Sequence, residues 1–175
     1  MKVLTLALLL FSLPLLSQTT PASSPDPLSA LSFLEGTWEA KTQAGSADAN
    51  ATGTYTFKRE LGNHILARTS DSSAGKGPAV FDCEHHDLLY VYSDAQGQPL
   101  RAIYFDNEGH VTHYEVTTPA PATAVFLSEP SSSAPQFRLI YDLKHGILAG
   151  KFQMRVPGQT EWKSYLEWSG PKVTR

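Results

Sequence analysis

Cysteine is almost missing from this chain: Cys83 is the only one in 175 residues. No intramolecular disulfide can form, so stability must come from packing and from a well-paired sheet. Charge is sparse and nearly balanced, with 14 Lys and Arg against 17 Asp and Glu and a formal net charge of -3. That balance gives no electrostatic pull toward nucleic acid or an anionic membrane, and neither is expected as a partner. Catalytic signatures are scarce as well. There is no Gly-x-Ser-x-Gly elbow. Ser73-Ala74-Gly75-Lys76-Gly77 fails as a phosphate loop, because Ser70 stands where the first glycine belongs and Gly77 where Ser or Thr is needed. Helical periodicity is nearly absent too.

One long apolar run exists, Val3 to Leu16, following Lys2 and broken by Thr5, Ser12 and Pro14. It suits the apolar centre of a secretory leader and falls short of the roughly 20 residues of a membrane-spanning helix. The expected organisation is a signal peptide over 1–18, cleaved near Ser17, a Pro/Ser/Thr-rich linker over 19–27, and one domain over 28–175. The mature protein is then exported, periplasmic or secreted, with no membrane span after cleavage.

What is present is a beat of roughly ten short alternating runs separated by turn residues. Asp26 to Gly36 reads as a short helix, with Asp26 as N-cap, Pro27 at the first helical position and Gly36 as terminator. Thr37–Thr42 opens the strands. Gly53–Glu60 alternates with Tyr55 and Phe57 on one face, and Gly62-Asn63 turns it into His64–Thr69. Further strands are expected at Asp87–Ser93, Leu100–Phe105, Val111–Thr117, Ala124–Ser128, Phe137–Leu143, Leu148–Val156 and Glu161–Trp168. No connection is long enough for a βαβ crossover, so the pattern predicts an all-β, antiparallel, up-and-down barrel of about ten strands with a short N-terminal helix. Trp38 in the first strand and Trp162 and Trp168 in the last are expected to share its closing seam.

Phe33-Leu34-Glu35-Gly36-Thr37-Trp38, the Leu-Gly between the second and third strands, and the turn Phe105-Asp106-Asn107-Glu108-Gly109 follow one another in a telling order. In these features the chain resembles the calycin superfamily of lipocalin-like barrels. More closely, it is similar to a family of exported bacterial proteins with such a barrel, for which no catalytic residues are established. The resemblance reaches distantly to nitrobindin, whose haem is held by a late histidine. Here the last histidine, His145, stands beside Gly146 in a turn, and no cofactor is expected.

Asp82-Cys83-Glu84-His85-His86-Asp87 is the densest set of metal-ligand side chains. If it is extended, Cys83, His85 and Asp87 share a face, which is a poor tetrahedral cage, and a polar lead-in to a strand is the better reading. His110 and His113 point oppositely on a strand and cannot share a metal. His113 and Glu115 share a face, as do Arg101, Ile103 and Phe105 on the preceding strand. Facing inward, Arg101, His113 and Glu115 would join tyrosines such as Tyr104 in a ligand site; facing outward they are ordinary surface. Three functions are carried forward. One is a barrel binding a small, partly apolar molecule. A second is a filled barrel docking a protein partner or a second copy of itself. The third is an enzyme using the His113/Glu115 pair.

Overall fold

A computed structural model describes residues 26–43, 52–71, 85–95 and 99–174. The expected leader, most of the expected linker, Ser73–Gly77 and Asp82-Cys83-Glu84 lie outside the described residues. Ten antiparallel strands form a closed barrel: β1 (Gly36–Thr42), β2 (Thr52–Glu60), β3 (Ile65–Asp71), β4 (His86–Ser93), β5 (Leu100–Asp106), β6 (Val111–Ala120), β7 (Thr123–Ser128), β8 (Gln136–Lys144), β9 (Ile147–Arg155) and β10 (Lys163–Pro171). Each strand pairs with its neighbour in sequence, and β1 pairs with β10 to close the ring. A closed ring leaves no edge strand, which suits a domain that must hold together without a cross-link.

Among the described residues helix is almost absent. Where the sequence suggests a helix from Asp26 to Gly36, only Ser29–Leu34 is helical, as a 3-10 helix. Asp26 does not cap it by the expected geometry; its Oδ1 accepts the Leu28 N–H at 2.9 Å, one turn earlier. Spacing near three residues brings Leu28, Leu31 and Leu34 to one side, and all three are fully buried in the core cluster with Trp38. The Trp38 indole N–H donates to the Leu34 carbonyl at 2.7 Å. Arg59, near the end of β2, donates to Glu35 at 2.7 Å and to the Leu28 carbonyl at 3.2 Å, and its Nη1 stands 2.9 Å from Asp26. These contacts hold the 3-10 helix against the barrel end where β1 begins and β2 finishes.

Alternation sets the inside. Tyr55 and Phe57 face inward as their spacing suggests, with Leu66, Leu89, Val91, Ala102, Tyr114, Val116, Phe126, Tyr141 and Trp168. Tyr141 is the centre of the packing, with ring centroids of Phe57, Trp168, Tyr55 and Phe126 at 5.4 to 6.0 Å. Three of these four pairs are edge-to-face, the arrangement aromatic quadrupoles prefer. Gly150 lies opposite Trp168, and a Cβ there would come within 2.1 Å of the indole, so only glycine lets the ring lie across β9. Trp38 and Trp168 do lie on the paired strands β1 and β10. Trp162 does not share that seam. It precedes β10, and the guanidinium groups of Arg138 and Arg155 lie 4.3 and 4.8 Å from its ring centroid, anchoring it to β8 and β9.

Candidate functional site

Opposite the 3-10 helix, toward the ends of β1, β3 and β5 and the starts of β2, β4 and β6, the barrel holds a cavity of about 430 Å3. That size falls in the range of small-molecule pockets. Tyr55, Tyr114, Phe137, Leu139, Phe152 and Trp168 form its apolar wall. Phe137 and Phe152 stack at 5.5 Å with an interplanar angle of 15°.

One side of this cavity is charged. In β3 the inward register reads Leu66, Arg68, Ser70, and in β4 it reads Asp87, Leu89, Val91. Arg68 and Asp87 each keep only 8% of their surface exposed. Their side chains meet at 3.2 Å from Arg68 Nη1 to Asp87 Oδ1. Ser70 sits opposite Asp87 in the ladder and completes a triangle: Arg68 Nη2 donates to its Oγ at 2.7 Å, and that hydroxyl donates to Asp87 Oδ1 at 3.0 Å. Burial works against the Arg68 charge, yet the Asp87 carboxylate raises its pKa above the usual arginine value. Burial likewise opposes the Asp87 charge, and Arg68 with hydrogen bonds from His85 and Ser70 holds its carboxyl below the ordinary range. The Arg68 Nε and the Tyr141 hydroxyl, both buried, have no hydrogen-bond partner. The Arg68 guanidinium lies 5.4 Å from the Tyr55 ring centroid.

A second polar chain runs along the rim. His85 Nε2 is 3.3 Å from the Tyr104 hydroxyl, which donates to Asp106 Oδ2 at 3.3 Å. His85 Nδ1 stands 3.5 Å from Glu108. A hydrogen bond to Asp87 raises the His85 pKa, against the pull of burial. Asp106 accepts the backbone N–H of Glu108 at 3.1 Å and of His110 at 2.9 Å, while His110 Nδ1 lies 2.9 Å from its other oxygen. This is the physical content of the Asp-x-x-Gly turn, with Gly109 supplying the left-handed backbone at φ +90°. Burial raises the Tyr104 pKa strongly, with Asp87 and Asp106 adding to it, and pushes Tyr55 and Tyr114 up to about 12. All three phenols therefore stay protonated at neutral pH and act as neutral hydrogen-bonding groups.

Of the four residues expected to form a ligand site, Tyr104 lines the cavity. Arg101, His113 and Glu115 lie on the outer wall and are exposed, a correction to the inward alternative. The reason is parity: Ala102, Tyr104, Tyr114 and Val116 occupy the inward positions of β5 and β6, so their neighbours must face solvent. Arg101 pairs with Glu115 across the ladder and with Asp94 at 3.1 Å. The residues that do assemble are Arg68, Ser70, His85, Asp87 and Asp106, a set that no motif in the sequence groups. Their signal was available as charged residues in the apolar register of adjacent strands. His85 and Asp87 do share a face, but among the described residues no group of three or more His, Cys, Asp or Glu is arranged to hold a metal ion. His145 is exposed in the β8–β9 turn with φ +51°. No helix among the described residues is long and apolar enough to cross a membrane.

No protein-family model matches this chain, and no curated protein matches it.

Proposed function

We propose that this protein is an exported, lipocalin-like barrel of the calycin type that binds a small, partly apolar molecule in its lumen. The observation that carries the reading is the 430 Å3 cavity, walled by aromatic side chains and faced on one side by a buried ion pair. Aromatic walls with a few convergent polar groups are the usual composition of small-molecule sites. Export is supported by the leader-like run from Val3 to Leu16. The test is native mass spectrometry of the protein purified from the periplasm or medium without refolding. A reproducible extra mass that leaves on denaturation is expected. A bare polypeptide mass, together with no binding of the apolar dye Nile red, would overturn the reading. The same spectrum gives the mature mass and so the cleavage position expected near Ser17.

A second reading, docking of a protein partner or a second copy, draws on the outer wall. Leu88, Phe105 and Val111 lie side by side in register across β4, β5 and β6, and Leu88 and Val111 are exposed. A dimer in the same spectrum that Val111→Lys dissolves would favour it.

A further inference from the structure

The polar half of the lumen has a defined appetite, read from its donors and charges. Arg68 lines the cavity; its Nη1 faces Asp87 and its Nη2 donates to Ser70, and each of these two nitrogens carries a second N–H. A charged donor group bordering the cavity favours an occupant that offers it an oxygen over one that does not. The charge of Arg68 is already balanced by Asp87. Asp106 lies directly opposite Asp87 in the ladder, and Glu108 also borders the cavity. Among the described residues three carboxylates thus border the pocket against one fixed cation, Arg68, together with His85 and His110. An incoming carboxylate would meet like charge at short range in a partly desolvated site. An incoming ammonium would be drawn to Asp106 and Glu108 but could not accept from Arg68. The walls favour flat rings, because Tyr55, Tyr114 and Trp168 present aromatic surfaces to the same space.

We infer that the lumen selects an uncharged aromatic molecule carrying a hydrogen-bond acceptor, such as a ring ketone, and discriminates against carboxylates. This rests on the reading of the lumen as a ligand site. The acceptor oxygen sits at Arg68 and the ring lies among Tyr55, Tyr114 and Trp168.

The test uses three naphthyl probes of similar size at pH 8, namely 2-acetylnaphthalene, naphthalene and 2-naphthoate. Each displaces Nile red from the protein while tryptophan fluorescence is followed. The ketone is expected to bind at least tenfold tighter than 2-naphthoate and severalfold tighter than naphthalene. Asp87→Asn, which leaves the Arg68 charge without its partner, is expected to raise 2-naphthoate affinity tenfold or more and to make it the preferred probe. In the wild type, 2-naphthoate binding as tightly as the ketone, or naphthalene matching it, would overturn the inference while leaving lumen binding intact. Nile red that binds but yields to none of the three would do the same. Failure of Nile red and all three probes to bind would instead remove the lumen reading itself. The wild-type series decides the matter even if Asp87→Asn does not fold.

Discussion

At one end of the barrel Leu28, Leu31 and Leu34 fill the lumen with fully buried aliphatic surface, while at the other Arg68, Ser70, Asp87 and Asp106 surround an aromatic cavity with charge. Apolar burial explains the first end without reference to function, because each leucine removed from water contributes roughly 1.5–3 kcal/mol. The second end has no such account. A buried ion pair gives little or no net stability over a well-packed apolar pair of similar size, since desolvation offsets the attraction. Stability alone accounts for the plug; it does not account for the pair. Residues retained at a cost to stability, beside a cavity, are where function is to be sought.

The largest expected effect breaks the polar end. Asp87→Ala leaves Arg68 charged, buried and alone, and should lower the unfolding free energy by about 3–5 kcal/mol, read from urea titration at pH 7. A loss below about 1 kcal/mol would mean that the pair is open to water and the polar end is not desolvated. Next comes the plug. Leu31→Ala should cost about 2–5 kcal/mol through lost burial and the cavity left behind. Its Nile red affinity should stay within about twofold at temperatures where the variant is folded, because the plug lies at the far end. If affinity falls together with stability, the two ends are coupled and the comparison fails.

Acidity should separate the two ends as well. The Asp87 pKa is lowered on folding from the ordinary 3.8, so its contribution is present above that value and is lost as pH falls through the folded one. His85 is raised from 6.5, so its contribution is full below 6.5 and disappears as pH climbs through the folded value. Stability should therefore be highest between roughly pH 4 and 6.5 and should decline on both sides. In His85→Gln the decline on the alkaline side should vanish while the acid limb remains. Leu31→Ala should show the wild-type profile displaced downward at every pH. Denaturant titrations from pH 3 to 9 on the three proteins make that check.

The barrel was legible because its grammar is local. All ten expected strands lie within a few residues of those found, since period-two alternation and turns such as Gly62-Asn63 and His145-Gly146 act over short stretches. The site is written in a longer-range code. Arg68 became meaningful only when β3 and β4 were laid side by side, which put Ser70 opposite Asp87. Grouping Arg101, His113 and Glu115 by their chemistry overlooked the stronger cue that Ala102, Tyr114 and Val116 mark the inward parity. Trp162 misled for a related reason: one residue before β10 begins, it stacks on Arg138 and Arg155 instead of joining the seam.

The smallest expected change in stability is the sharpest test of the comparison. Replacing the pair together, Arg68→Met with Asp87→Leu, removes both buried charges and refills their volume with apolar atoms. Stability should stay within about 1 kcal/mol of wild type or rise, because two desolvation costs vanish with one attraction. Ser70 then loses both of its partners in the triangle, and Ser70→Ala added to the double variant should recover any small deficit. In the same protein the preference of 2-acetylnaphthalene over naphthalene should disappear, since no guanidinium remains to meet the ketone. A variant as stable as wild type that no longer distinguishes the two probes would separate what holds the barrel together from what it recognises. If the double variant unfolds as readily as Asp87→Ala, the pair belongs to the fold after all, and the polar end is a structural counterpart of the leucine plug.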